Sequence, residues 1–327
     1  MTRPRVYITQ PVSPGAIERL QRVADVEWNP NPLHILSKDE LTKAVRKCDI
    51  LFCLLHDHVD ADVIAANPKL RAVVSTTITP ADIDVRAASA RNIPVTVIPA
   101  ALLDEATADL AWALLLSVAR RVAESDRLMR SGTFPGSQSA YMEGGGVSRK
   151  TLGLIGMGGV GRATAERARG FAMRALYYDP KRLPSEEEKA LGLTWMPMDE
   201  LLAESDFVSL HARLTPETRH LIGEREFGLM KRSAFFINSA RGPLVDEEAL
   251  VRALEEGRIA GAGLDVFEHE PRPHPKLLAM PNVVATPHVG SAVTKLRATM
   301  ANVVVDNIVA VLENRRPPNC WNPEIYV

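Results

Sequence analysis

Residues 156–161 read Gly-Met-Gly-Gly-Val-Gly, and no other stretch constrains the fold as tightly. The hexapeptide follows an apolar run at 152–155 and opens a helical pattern through 162–170. A strand, a glycine turn and a helix in that order build the phosphate-binding corner of a parallel α/β sheet. Gly156 permits the tight turn, Gly158 lets the backbone approach a pyrophosphate, and Gly161 lets the helix pack closely on the strand. The helix start adds free N–H groups and a positive dipole end. Asp179 closes the next apolar run, Leu176-Tyr177-Tyr178, eighteen residues after Gly161. A carboxylate there accepts ribose hydroxyls and repels a 2′-phosphate. The expected coenzyme is NAD, with NADP as the alternative through Lys181 and Arg182.

The rest of the chain alternates in the same rhythm. Strands are predicted at 6–9, 50–55, 70–75 and 95–98, with helical patterns at 16–23, 41–45, 61–66 and 85–91. One long helix is predicted over 104–130, carrying Arg120-Arg121 on a solvated face, then a Gly-, Ser- and Pro-rich loop at 132–146. The alternation restarts with strands at 151–155, 175–178, 207–210, 234–238, 262–266 and 283–286, and a helix at 292–312 closes it. Strands alternating with helices place the chain in the α/β class, with two doubly wound parallel sheets. A length of 327 residues accommodates two such domains.

Composition removes several function classes. Lys plus Arg is 39 and Asp plus Glu is 40, a net charge of −1, so no bulk attraction to nucleic acid or anionic membrane is expected. The charge-free stretch 277–294 contains Pro281, Pro287 and Gly290 and cannot span a membrane. The apolar run at 6–9 is too short for a signal peptide. Cys48, Cys53 and Cys320 make neither a disulfide framework nor a zinc pattern. These features predict a cytoplasmic protein. His56 and His58 flank Asp57 with no third well-spaced ligand following, so no metal is expected. His211 ends a strand and is read as a packing or capping residue.

Three ionisable residues follow strands beyond the fingerprint: Arg241 after 235–238, Glu270 after 263–266 and His288 after 283–286. Ligands of open parallel sheets bind at the carboxyl ends of strands, so these three can converge on one crevice. Arginine offers a planar fork to a carboxylate or carbonyl oxygen. Histidine exchanges a proton near neutral pH, and a neighbouring glutamate favours its protonated form and fixes its tautomer. That set suits hydride transfer to a 2-oxo acid.

The segments around these residues, 239–246 (Ser-Ala-Arg-Gly-Pro-Leu-Val-Asp), 263–271 (Gly-Leu-Asp-Val-Phe-Glu-His-Glu-Pro) and 287–292 (Pro-His-Val-Gly-Ser-Ala), resemble the D-isomer-specific 2-hydroxyacid dehydrogenases over essentially the whole chain. Residues 54–60 and 290–292 look most like the glyoxylate/hydroxypyruvate reductase branch. The resemblance implies two Rossmann-like domains, the coenzyme domain inserted in a discontinuous, flavodoxin-like substrate domain. The substrate domain would take 1–100 and 293–327, and the NAD-binding domain 101–292. A homodimer would form through 104–150. The resemblance assigns catalysis to Arg241, Glu270 and His288, selecting Glu270 because it directly precedes a proline. It places Thr107, Gly159, Val160, Ala212, Arg213, Thr218, Ser239, Ala240, Asp265 and Gly290 at the coenzyme, together with Arg241 and His288. Backbone N–H groups of Ile78 and Thr79 would meet the substrate carboxylate beside Arg241 and His288.

Two positions depart from the family pattern. Thr79 stands where glycine is usual and precedes Pro80 in the segment Ile78-Thr79-Pro80-Ala81-Asp82. Pro80 lacks an N–H and biases Thr79 toward an extended backbone, which predicts a re-routed loop and a 2-oxo acid larger than glyoxylate. Arg213 replaces a usual proline and adds a positive charge on the adenosine side. Phosphite-type oxidation would keep the same three residues. NAD-binding co-repressors share the fold as well, but carry extended flanking tails.

Overall fold

The computed structural model describes residues 3–80 and 82–327; Ala81, within the 78–82 segment, lies outside the described residues. The chain falls into two compact units, Met1–Leu102 with Ala292–Val327, and Leu103–Ser291.

The first unit contains β1 (Arg5–Ile8), β2 (Asp25–Trp28), β3 (Ile50–Cys53), β4 (Ala72–Ser75) and β5 (Val95–Thr96). They form one parallel sheet in the order β2-β1-β3-β4-β5. Every residue of β3 and β4 is buried, as a parallel sheet covered on both faces requires. Leu41, Val45, Val63 and Ile64, from two covering helices, cluster with Leu51 and Val73 of the sheet. The C-terminal segment returns to β5. Asn322 is buried, accepts from Val95 N at 2.8 Å, and donates to Ile93 O at 3.0 Å and Ser89 Oγ at 2.9 Å.

The second unit holds β6 (Thr151–Ile155), β7 (Arg174–Tyr178), β8 (Leu193–Trp195), β9 (Phe207–Leu210), β10 (Phe235–Asn238), β11 (Gly261–Leu264) and β12 (Val283–Ala285). The sheet order is β12-β11-β10-β9-β6-β7-β8, again all parallel. The chain leaves β6 toward β7 and later returns to pair β9 on the other side. The carboxyl end of β6 is therefore the topological switch point. The strand ends are in register. Ile155 pairs with Tyr178 and Leu210, Asn238 with Leu210 and Leu264, and Leu264 with Ala285. Apolar clusters cover the sheet, one with Phe227, Phe236 and Leu250, the other with Trp112, Leu154 and Tyr177.

Three sequence expectations need correction. β2 and β8 carry no long apolar run and were not predicted; both are sheet edges, where one side is open and the alternation weakens. The single helix over 104–130 is two helices, Asp104–Ala119 and Val122–Arg130. Arg121 breaks it with φ 53°, and its guanidinium pairs with Glu124 at 2.8 Å through two nitrogens. The fork serves the helix start from a surface side chain, and Arg120 beside it is exposed, as a solvated face requires. Among the described residues no helix is long and apolar enough to cross a membrane, and no cluster of three or more His, Cys, Asp or Glu could hold a metal.

Candidate active site

The fingerprint turn is built by exclusion. Gly156 has φ 95°, and a Cβ there would lie 2.6 Å from Ala212 N and 2.7 Å from the His211 carbonyl group. A Cβ on Gly161 would strike the Gly156 carbonyl. Gly158 differs, because a Cβ there would meet nothing within 4 Å. The first and third glycines are thus required by the protein's own packing, whereas the second faces open space at the start of helix Gly159–Ala168. That space suits the close approach of a pyrophosphate.

Asp179 is anchored from two sides. Its Oδ2 accepts from Met157 N, inside the turn, at 2.9 Å, and its Oδ1 accepts from Lys181 N at 2.9 Å. Arg182 is committed elsewhere. It donates to both oxygens of Glu188, at 2.8 and 3.0 Å, and lies over the Trp195 ring. Hydrogen bonds from Arg182 and Tyr177 hold the Glu188 carboxyl down at about 2. Lys181 and Arg213 are exposed. Thr218 donates to the Arg213 carbonyl at 2.7 Å and holds that turn.

The catalytic candidates gather one strand end at a time. His288 follows β12 with φ 51°, a left-handed conformation uncommon outside glycine. The turn is held by Asp265, just past β11, whose buried side chain accepts from Thr286 Oγ1 at 2.6 Å, Val289 N at 2.8 Å and Gly290 N at 2.9 Å. His288 N donates to the Asp265 carbonyl at 2.9 Å. Burial pushes the Asp265 carboxyl up, against the opposing pull of these hydrogen bonds. Thr107 lies close by, with its Oγ1 3.5 Å from where a Gly290 Cβ would sit.

His288 Nδ1 lies 2.8 Å from Glu270 Oε2, and Glu270 Oε1 accepts from Phe267 N at 3.1 Å. The carboxylate assigns the proton on that side of the ring to Nδ1. Arg241 follows β10. Asn238 fixes its loop, accepting from Ala240 N at 3.0 Å and donating to the Arg241 carbonyl at 3.1 Å. Burial pulls the guanidinium below its usual value, and the Glu270 charge opposes that shift. The two charges therefore share one neighbourhood.

Two buried polar atoms at these strand ends have no hydrogen-bond partner, Ser239 Oγ after β10 and His211 Nδ1 after β9. Orphaned polar atoms beside an open glycine turn fit a polar ligand at this edge.

This arrangement has relatives. Residues 112–290 match the family model described as D-isomer specific 2-hydroxyacid dehydrogenase, NAD binding domain. The chain belongs to the D-isomer-specific 2-hydroxyacid dehydrogenase family. It is similar to a glyoxylate reductase of Korarchaeum cryptofilum, at 44% identity over 99% of this chain and 97% of that protein. A glyoxylate reductase of Thermococcus litoralis is 42% identical over 99% of this chain and 98% of its own length. The crystal structure of TT0316 protein from Thermus thermophilus matches with a TM-score of 0.88 and 42% identity, covering 97% of this chain and 99% of that one. The chain is an oxidoreductase of this family with NAD(H) as its cofactor.

Within the second unit, Glu270, His288, Arg241 and Asp265 lie together, with Thr107 beside Gly290. The glycine turn, Asp179 and the Ala212 amide form a second group at the switch point. The Val160 carbonyl is taken by Thr164 Oγ1 at 2.8 Å. Ile78 and Thr79 belong to the first unit, in a bend after β4 where Ile98 N donates to Thr77 O at 2.9 Å and Ile83 N to Pro80 O at 3.1 Å. The anchoring role of Thr286 was missed from sequence, although a hydroxyl two residues before His288 was the available signal.

Proposed function

We propose that this chain reduces a 2-oxo acid to a D-2-hydroxy acid with NADH, and that His288 Nε2 donates the proton to the carbonyl oxygen. The observation carrying this reading is the 2.8 Å contact between His288 Nδ1 and Glu270 Oε2. It orients the ring and stabilises the imidazolium that can give up the Nε2 proton. Arg241, half-buried beside Glu270, would hold the substrate carboxylate and polarise the carbonyl; its guanidinium forks onto such oxygens and stays charged. When bound, the nicotinamide coenzyme supplies the hydride. The glycine turn would hold its pyrophosphate, and Asp179 its adenosine ribose. Thr107, Gly159, Val160, Ala212, Arg213, Thr218, Ser239, Ala240, Asp265 and Gly290 would line the remainder.

The preference for NADH rests on Asp179 being fixed and on Arg182 being held by Glu188, away from any 2′-phosphate. The test is NADH and NADPH oxidation followed at the nicotinamide absorbance with 2-oxo acids of rising size. Turnover with NADH exceeding that with NADPH supports the reading, and Asp179→Ala narrows the gap. No turnover with any 2-oxo acid sinks it.

A homodimer through 104–150 fits the same reading. Val122, Met129 and Phe134 are 53%, 54% and 65% exposed, and Leu278 lies with Glu124, Arg127 and Met142 in a groove of about 510 Å³. Apolar surface of that kind marks an interaction face. Light scattering of the pure protein reads the dimer directly.

A further inference from the structure

The loops after β9, β10 and β11 are joined at one side chain that the proposed reaction does not use. Glu268 stands two residues before Glu270, and its side chain is 9% exposed. Its Oε1 accepts from Arg219 Nη2 at 2.7 Å and lies 2.6 Å from His220 Nε2, both from the segment after β9. Its Oε2 accepts from Glu247 N at 3.3 Å, at the start of the helix that follows the Arg241 loop. The bond is returned, because Glu268 N donates to Glu247 Oε2 at 2.8 Å. The same three segments also touch through their backbones. His220 N donates to Pro243 O at 2.9 Å, and Gly242, next to Arg241, packs against the Phe267 carbonyl with no room for a Cβ. Burial pushes the Glu268 carboxyl up, but the His220 hydrogen bond, the Glu247 amide and the Arg219 charge outweigh it and hold it below the usual carboxylate range.

We infer that Glu268 is a positioning residue, a joint that sets Glu270 and Arg241 relative to one another. This inference rests on the catalytic reading above. Arg241 and Glu270 sit on different loops, and misplacement of a reacting group by about 1 Å costs on the order of 100-fold in rate. Charge-assisted bonds to a buried carboxylate are the strong kind, so one anion can fix three segments.

The test is a double-variant cycle in the full-length enzyme. Glu268→Ala is expected to lower kcat for 2-oxo acid reduction roughly tenfold, because geometry is loosened but not lost, while the NADH Kd stays within about twofold. Glu268→Gln, which keeps the shape and an acceptor oxygen, restores most of that rate. In a Glu270→Gln background, Glu268→Ala adds less than about twofold, since residues acting through one another are not additive. An unchanged kcat in Glu268→Ala, or a full tenfold loss repeated in the double variant, overturns the positioning role. If Glu268→Ala does not fold, Arg219→Met combined with His220→Ala removes the two exposed donors and is read in the same cycle. If Glu270→Gln and His288→Ala themselves leave kcat unchanged, the catalytic reading fails and the joint falls with it.

Discussion

In the first unit two strand ends are tied by side-chain bonds, although Thr96 Oγ1, closing β5, is buried without a partner among the described residues. Thr9, after β1, donates to the buried Asp57 carboxylate, which also accepts from Leu54 N at 2.7 Å, and Ser75, closing β4, bonds Thr77 at 2.8 Å. In the second unit the corresponding ends carry a glycine turn facing open space, two orphaned polar atoms, and Arg241, Glu270 and His288. Both sheets are parallel and doubly wound, so topology does not separate them. What separates them is the open glycine turn and the ionisable set Arg241, Glu270 and His288 carried by one edge of the second sheet. The fold supplies the edge, and the residues placed on it decide the chemistry.

The largest break in this contrast is expected at Gly156. Its φ of 95° and the 2.6 Å approach to Ala212 N leave no place for a side chain. Gly156→Val should weaken NADH binding on the order of 100-fold, read by fluorescence titration, because strain and clash fall on the phosphate turn. Binding within a few-fold of the parent would mean that the turn does not carry the coenzyme.

The two units should also differ in how acid affects them. Burial pushes the His211 ring down to about 4 from the usual 6.5. Between those values the unfolded chain takes up a proton that the folded ring refuses. Stability contributed there is full above 6.5 and is lost as pH falls toward about 4. Burial pushes the Asp57 carboxyl the other way, above its usual 3.8. Just above that value the folded state binds the extra proton, so this group adds stability as pH falls and loses it as pH rises. Denaturant unfolding across this range should show a flatter acid loss in His211→Gln and a steeper one in Asp57→Asn. Identical slopes in all three proteins would contradict both assignments.

The smallest effect concerns the first unit's loop. Thr79→Gly removes a stiff β-branched side chain and should shift kcat/KM toward glyoxylate over larger acids by roughly threefold, the scale of a small change in pocket volume. No shift would remove Thr79 from substrate choice.

Much of this was readable from sequence because the informative elements are central. β6 and its glycine turn announce themselves by a buried apolar run and a spacing that only one geometry explains. The catalytic candidates could be grouped because β10, β11 and β12 end in register, so residues just past each strand fall along one edge. The edge strands β2 and β8 were hidden by mixed burial and by length, β8 having three residues. The break at Arg121 has no glycine or proline to signal it; a left-handed arginine bonded to Glu124 makes the turn. The Glu268 joint was invisible because its partners come from segments around positions 220 and 247, and sequence spacing carries no record of such contacts.

The central claim is that His288, oriented by Glu270, delivers the proton while the glycine turn separately holds the coenzyme. The direct measurement is kcat for 2-oxo acid reduction and the NADH Kd on the same preparation of His288→Ala. The account predicts kcat lower by about 10²–10⁴-fold with the Kd nearly unchanged, the range expected for a lost general acid. A kcat near the parent's, or a fall in kcat matched by an equal loss of NADH affinity, would contradict it.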